Sequence, residues 1–156
     1  MNWDAVGSIG TAVAVLVAAW QVRRNTQQAT TNFEDDLSRE YRELARYIPV
    51  PVHLGAELSD EDFRTVYPRL FQYIDLSNEQ VFLRLTGRIS RTTWHQWRDG
   101  IKTNLSQPTF ARAWEEVKAT AGHRFSELRR LESSDFNDDP RRWLPVLEKL
   151  RQYWWA

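Results

Sequence analysis

The sequence contains no cysteine, one methionine, and only six glycines and six prolines among its 156 residues. Without cysteine the chain has no disulfide framework, no thiolate metal site and no cysteine nucleophile. A mean hydropathy of −0.61 excludes a membrane protein with several spans. Because 42% of the residues are hydrophobic, the chain is not disordered, and its length fits one small domain, with or without an anchor.

The sequence motifs of the common enzyme classes are also absent. We find no glycine-rich phosphate loop, no HExxH, no GxSxG and no deaminase-like zinc signature. The three histidines, His53, His95 and His123, lie far apart and lack the spacing of metal ligands. We therefore expect no metal site, no cofactor and no enzymatic activity.

The charges balance at 21 of each sign, but they are unevenly distributed along the chain. Residues 49–83 carry six acidic against two basic groups, whereas residues 84–130 carry ten basic against four acidic groups. One interpretation is that these two segments pack together and neutralise each other. The other is that the second segment presents a basic surface to a phosphate, a nucleotide or anionic lipid. No helix carries a dense Lys/Arg stripe, so double-stranded nucleic acid is not an expected partner.

One long segment, residues 5–22, contains no charged residue. As a helix its eighteen residues extend about 27 Å, close to the thickness of the hydrocarbon core of a bilayer. Trp3 and Trp20 flank the segment, and Arg23 and Arg24 follow it directly. By the positive-inside rule, this pattern predicts one membrane span with the C-terminal domain in the cytoplasm. A buried core helix is the alternative interpretation.

Four small residues follow one stripe of this segment at spacings of three, four and four: Gly7, Gly10, Ala14 and Ala18. Small residues at such spacing let two helices approach closely within lipid, so the stripe predicts a homo-oligomer. The alternative is that alanine and glycine are simply common in membrane spans.

The remaining sequence has helical periodicity and no sustained strict alternation. An apolar stripe through Phe33, Leu37, Tyr41, Leu44 and Ile48 predicts a helix that Pro49 and Pro51 end. Together these patterns predict an all-α protein with a single N-terminal transmembrane helix and a compact bundle of four or five helices. The expected domains are a transmembrane anchor (1–22), a helical stalk (23–48) and a cytoplasmic helical bundle (49–156).

Capping residues and prolines place the helices of the bundle. Ser59 and Ser90 are expected N-caps, and Gly87 is an expected C-terminal stop. Pro68 is expected to interrupt or restart the second helix of the sequence. Further signals are Pro108 in a first turn, one amphipathic pattern from Phe110 to Leu128, and a last helix beginning at Asp139-Pro140.

The segment at 73–80, YIDLSNEQ, is unusual because Asn78 lies within an apolar stripe while Asp75 and Glu79 are neighbours on the adjoining face. An unpaired buried polar group costs about 1–3 kcal/mol, so Asn78 needs a partner. One interpretation is a structural polar network; another is a pocket for a planar anionic ligand, with guanidinium groups for phosphate and indole rings for stacking. The candidate ligand-binding residues are Asp75, Asn78, Glu79, Arg84, Arg88, Arg91, Trp94 and Trp97.

Four motifs between Phe71 and Trp114 occur in order: DLSNEQ from Asp75, GRIS from Gly87, W-x-x-W-x-x-G-I from Trp94 and P-x-F-x-x-x-W from Pro108. In these motifs the chain resembles a family of small bacterial proteins with one N-terminal span and a cytoplasmic helical domain. The resemblance implies a location in the bacterial inner membrane. It also draws attention to Gly100, and it implies a packing role for Phe110 and Trp114. Proteins of this architecture include antiphage effectors and sensors, some of them gated by nucleotide second messengers.

Three hypotheses for function follow. The first is a membrane-anchored sensor or effector whose bundle binds an anionic ligand or a partner and which oligomerises through its span. The second is a passive membrane scaffold that holds a protein partner, with an aromatic patch at Tyr153, Trp154 and Trp155. The third is a metal-free hydrolase in which Asp75 and Glu79 form a general acid–base pair.

Overall fold

The structure is a computed structural model that describes the backbone of residues 3–145 and the side chains of residues 17–145. Within that range the chain forms six α-helices and one 3-10 turn, with no strand. They are α1 (Trp3–Arg46), α2 (Val50–His53), α3 (Asp60–Thr86), α4 (Arg91–Leu105), α5 (Pro108–Thr120), α6 (Ser126–Ser133) and the 3-10 turn Pro140–Arg142. The predicted all-α class and the helical bundle are therefore confirmed.

Most predicted helix ends are found where the sequence places them. The hydroxyl of Ser59 accepts the amide of Asp62 at 3.2 Å, and the hydroxyl of Ser90 accepts the amide of Thr93 at 3.2 Å. Gly87 ends α3 in the left-handed conformation, with φ of 81°. These signals succeed because each acts over a few residues of local backbone.

Two expected helix boundaries are wrong. Helix α3 continues through Pro68 without interruption. Phe63 and Leu70, on either side of Pro68, are fully buried, so tertiary packing holds the helix despite the missing N–H. Conversely, the pattern from 110 to 128 is divided between α5 and α6, since Gly122 and Phe125 both adopt positive φ. The expected last helix begins as the 3-10 turn, and its continuation beyond 145, with Tyr153, Trp154 and Trp155, lies outside the described residues.

By its internal contacts the chain divides into two compact units, residues 1–36 and 37–156. The first unit contains the N-terminal part of α1. There Val17, Trp20 and Val22 are exposed, and the hydroxyls of Thr26 and Thr30 bond to carbonyls one turn earlier in the helix. The backbone of α1 is continuous from the predicted anchor through the predicted stalk as far as Arg46.

The second unit contains the hydrophobic core, with α3 in contact with α4, α5, α6 and the 3-10 turn. Its core residues include Ile74 of α3, Trp94 of α4 and Leu128 of α6, none of which is exposed. The rings of Tyr73 and Phe110 meet edge to face at 5.0 Å between centroids. Because α3 packs against all of these elements, only its remaining faces can line a binding site.

Across the residues that the structure describes, none of the helices combines the length and the apolar character that a bilayer crossing requires. The side chains of residues 5–16, most of the predicted span, lie outside the described residues. The same holds for Gly7, Gly10 and Ala14 of the small-residue stripe, whereas Ala18 is described and is exposed.

Candidate functional site

A groove of about 410 Å³ lies in the second unit, between the end of α1 and the middle of α3. Each helix contributes one face, because the lining positions recur at spacings of three and four residues. The lining residues are Glu40, Glu43, Leu44 and Tyr47 of α1, and Arg69, Gln72, Asp75, Leu76 and Glu79 of α3. We call this concavity the acidic groove.

Four carboxylates give the acidic groove its charge: Glu40, Glu43, Asp75 and Glu79. All four side chains belong to exposed residues. None of them forms a hydrogen bond or an ion pair in the part of the chain that the structure describes. Because the four carboxylates lie around one groove, the groove has a negative potential that attracts cations.

Arg69 is the single cationic side chain that lines the acidic groove. Its guanidinium lies over the ring of Tyr47, 4.5 Å from the centroid, and donates to the amide oxygen of Gln72 at 3.1 Å. Arg69 therefore contacts neutral groups and no carboxylate. Four carboxylates against one guanidinium leave the lining with a formal charge of −3.

Asn78 lies on α3 near Asp75 and Glu79, but its side chain contacts α6 and does not line the acidic groove. Its side-chain oxygen accepts the backbone N–H of Leu128 at 3.1 Å. Helix α6 begins after Phe125, which offers no side-chain cap, so Asn78 supplies from α3 the acceptor that an N-cap residue normally provides. The half-buried Asn78 therefore has a structural partner 50 residues further along the sequence.

Arg84 is almost fully buried and forms the best-enclosed ion pair of the described residues. It makes two hydrogen bonds to the carboxylate of Asp139, at 2.8 and 2.6 Å, and a third to the carbonyl of Ile89 at 2.9 Å. Burial raises the pKa of Asp139, but hydrogen bonds from Arg84 and the Arg141 amide outweigh it and hold the pKa below its ordinary value. The ion pair between Arg84 and Asp139 therefore holds the 3-10 turn in contact with α3.

The remaining predicted residues do not join Asp75 and Glu79. Trp94 is fully buried, and its indole N–H has no partner among the described residues. Arg88 and Arg91 are exposed and line neither the acidic groove nor the second cavity described below. Arg91 donates to a ring nitrogen of His95 at 3.4 Å. The eight candidate residues are therefore not gathered into one pocket; they divide between the groove, structural contacts and exposed surface.

A second, smaller cavity of about 90 Å³ contains the last predicted residue, Trp97. It lies between α1, α3 and α4, and its lining residues are Tyr41, Tyr73, Gln80, Gln96, Trp97, Gly100 and Ile101. The amide of Asn104 donates to the hydroxyls of Tyr73, at 2.9 Å, and of Tyr41, at 3.4 Å. Burial raises the pKa of Tyr73, so its hydroxyl stays protonated. We call this space the amide cavity, after Gln80 and Gln96.

Sequence reasoning missed most of the residues that line each concavity. Asp75 and Glu79 were candidate site residues, but Glu40 and Glu43 lay in the predicted helical stalk and were not candidates. Gln80 lay within the same run and had no distinguishing signal. Within the described residues, no group of acidic or histidine side chains is placed to hold a metal ion.

Comparison with protein-family models, with curated proteins and with solved structures finds no match to this chain. The fold and its two concavities define the class as an all-α protein with an acidic groove. The resemblance to small bacterial single-span proteins stays a prediction.

Proposed function

We propose that this protein is a membrane-anchored binding protein of the sensor or effector type, whose helical unit recognises a positively charged partner in the acidic groove. The observation that carries the proposal is the set of four carboxylates without partners around one groove. Two helices bring them together, and the one cation present contacts none of them.

The chemistry of the acidic groove favours a Lys- or Arg-bearing segment of a partner protein. Leu44 and Leu76 line the groove between the carboxylates, and Leu76 is buried. The long aliphatic stem of a lysine or arginine packs on such surface while its charged end reaches a carboxylate. An anionic ligand would meet a lining charge of −3 at this place, so the geometry favours the partner over the anion here.

The groove hypothesis is tested by titrating a fluorescent lysine- and arginine-rich peptide against the full chain in nanodiscs, followed by anisotropy. We expect binding that weakens as salt is raised, and a loss of about tenfold or more when the groove carboxylates become amides. The groove variant is E40Q/E43Q/D75N/E79Q. The matched control removes the same charge from exposed positions outside the groove, E57Q/E61Q/D99N/E115Q. Equal weakening in both variants would show diffuse charge attraction and would overturn the proposal.

The second part of the proposal is the membrane anchor. It is supported by the uncharged run of residues 5–22, which two arginines follow directly. In the described part of this run, Val17, Trp20 and Val22 expose 47–65% of their surface. Apolar surface in this segment supports a contact with lipid. The proposed location is the bacterial inner membrane, with the second unit in the cytoplasm.

Carbonate extraction of membranes tests the anchor. We expect the full chain to stay in the membrane pellet and Leu16→Arg to be released, since a central arginine costs about 3 kcal/mol on insertion. Thr26→Arg, placed outside the run, is the matched control and should stay in the pellet. Release of the unmodified chain would contradict the anchor.

Self-association through Gly7, Gly10, Ala14 and Ala18 is the third part of the proposal, and the spacing of small residues supports it. Chemical cross-linking of the full chain in membranes should give a ladder that Gly10→Leu removes. Ser8→Leu, off the stripe, should leave that ladder intact. An unchanged ladder in both variants would place any association elsewhere.

A further inference from the structure

Three exposed arginines lie around the 3-10 turn of the second unit: Arg88, Arg130 and Arg142. The guanidinium of Arg141 lies against Gly87, the residue before Arg88. The guanidinium of Arg130 lies over the ring of Trp143, 4.4 Å from its centroid. The end of α3, α6 and the 3-10 turn therefore form one surface. We call this surface, with Arg141 and Trp143, the arginine face.

The arginine face has an excess of positive charge. None of its three exposed arginines forms an ion pair with a residue that the structure describes. Of the two aspartates beside the turn, Asp139 is bonded to Arg84 through both of its oxygens. Asp138 accepts the indole N–H of Trp143 at 3.2 Å. The face therefore has a positive potential, which attracts a negatively charged partner.

The acidic groove of the same unit is a complementary surface. Its lining carries a formal charge of −3, and no residue of the arginine face lines it. On α3 the groove extends as far as Glu79, whereas the helix ends at Thr86, about 10 Å further along its axis. One copy of the chain therefore presents two surfaces of opposite charge at separate positions.

Aromatic rings at both surfaces favour a contact between proteins. Tyr47 in the groove exposes 63% of its surface, and Trp143 in the arginine face is only partly buried. Tyrosine, tryptophan and arginine are the residue types most enriched among those that dominate the binding energy of protein interfaces. A simple cation would contact the carboxylates but would leave these rings uncovered.

We infer that the arginine face of one copy occupies the acidic groove of a second copy of this chain. The inference rests on the proposed function, because it names the partner of the same groove. The two surfaces differ, so the contact is head to tail and can add further copies to form a ring or an open array. Exposed ion pairs are individually weak, so the contact depends on the high local concentration that the proposed association of the spans provides.

Cross-linking between two differently tagged copies of the full chain, co-expressed in membranes, tests the contact. The chain has no cysteine, so introduced thiols are the only ones present. One copy carries Gln72→Cys in the groove, and the other carries Asn137→Cys beside the arginine face. A short bismaleimide should join the two copies. Glu61→Cys, at an exposed position outside the groove, replaces Gln72→Cys as the control and should give no adduct.

Charge reversal makes this test specific. The face variant, in the copy with the thiol at 137, is R88E/R130E/R142E, and the groove variant, in the copy with the thiol at 72, is E43K/D75K/E79K. Each reversal alone should reduce the adduct about tenfold or more. Reversal in both copies together should restore it, a result that misfolding cannot produce. No adduct between positions 72 and 137, or an adduct that persists after a single reversal, overturns the inference.

The peptide titration under the proposed function separates the two failures. Binding of the lysine- and arginine-rich peptide, together with no adduct between positions 72 and 137, means that the groove has a different cationic partner. In that case only the inference is wrong. Absence of both peptide binding and adduct means that the proposed function of the groove is wrong as well.

Discussion

At the scale of single residues, Arg84 was a candidate for ligand binding from the sequence, but in the structure it forms an ion pair with Asp139. The side chain of Arg84 is 9% exposed, and that of Asp139 is 19% exposed. Two parallel hydrogen bonds join them, the geometry that makes arginine–carboxylate pairs strong. Removing one partner would leave the other charge buried and unpaired, which is the costly outcome.

We therefore expect Asp139→Asn to lower the free energy of unfolding by about 2–4 kcal/mol, less than for a fully enclosed pair because Asp139 is partly exposed. Urea denaturation followed by circular dichroism measures the change. Asp138→Asn, at the neighbouring exposed position, is the control and should cost much less. A loss in Asp139→Asn no larger than in the control would show that the pair contributes little.

The same carboxyl makes stability depend on pH. Because the folded-state pKa of Asp139 lies below its unfolded value of about 3.9, the carboxylate stabilises the protein fully above that value. This contribution is lost as the pH falls through the folded pKa. Denaturation curves between pH 7 and pH 2 should show the loss begin below about pH 4 in the unmodified chain and a flatter profile in Asp139→Asn. Parallel profiles would contradict this assignment.

Asn78 supports a second prediction at this scale. Since its side-chain oxygen caps α6, we expect Asn78→Ala to destabilise the protein by about 1 kcal/mol or more. Asn78→Asp keeps the acceptor and adds a negative charge at a helix N-terminus, so it should retain most of the stability. Urea denaturation compares the two variants. Equal losses in both variants would mean that Asn78 contributes to stability through packing and not through its hydrogen bond to Leu128.

At the scale of helices, Gly87 of the GRIS motif and Gly100 of the W-x-x-W-x-x-G-I motif differ in backbone conformation and in the space around them. Gly87 ends α3 with φ of 81°, and a Cβ there would lie 2.6 Å from the guanidinium carbon of Arg141. Gly100 lies inside α4 with open space around it. Alanine is strained at the first position and favoured at the second.

We expect Gly87→Ala to lower the melting temperature and Gly100→Ala to raise it. The first should cost about 1–2 kcal/mol through the left-handed backbone, together with a displaced Arg141. The second should gain about 0.4–1 kcal/mol, mainly because alanine restricts the unfolded chain. Calorimetry of the full chain measures both. The same sign of change in the two variants would contradict this account of the two glycines.

The helices also show which features the sequence could predict. Ser59, Ser90 and Gly87 were predictable, because capping depends on a few neighbouring residues. The continuity of α3 through Pro68 was not, because it depends on packing with distant helices. The candidate site divides in the same way. Asp75 and Glu79 share a face by helical spacing alone, but their meeting with Glu40 and Glu43 depends on how α1 docks on α3.

At the scale of the whole molecule, the uneven charge distribution is partly resolved by ion pairing. Arg64 pairs with Glu116 at 2.7 Å, and Arg112 pairs with Asp60 at 2.7 Å. Of these two pairs, Arg112 with Asp60 joins a basic group of segment 84–130 to an acidic group of segment 49–83, as the neutralising interpretation predicts. Arg64 with Glu116 pairs the minority charge of each segment and leaves the excess charges as they are. Asp75 and Glu79 belong to the same acidic segment and have no such partner among the described residues. The groove carboxylates of α3 are therefore among the acidic groups that internal ion pairing does not neutralise.

The central claim is that this groove receives a positively charged segment, and photo-cross-linking in native membranes tests it most directly. A photoreactive amino acid replaces Gln72 in the groove, with the exposed position of Glu61 outside it as the control. We predict a discrete adduct from position 72 alone, attached to a Lys- or Arg-rich peptide, and its loss in D75N/E79Q. An adduct that persists after this neutralisation, or no adduct at position 72, would contradict the account.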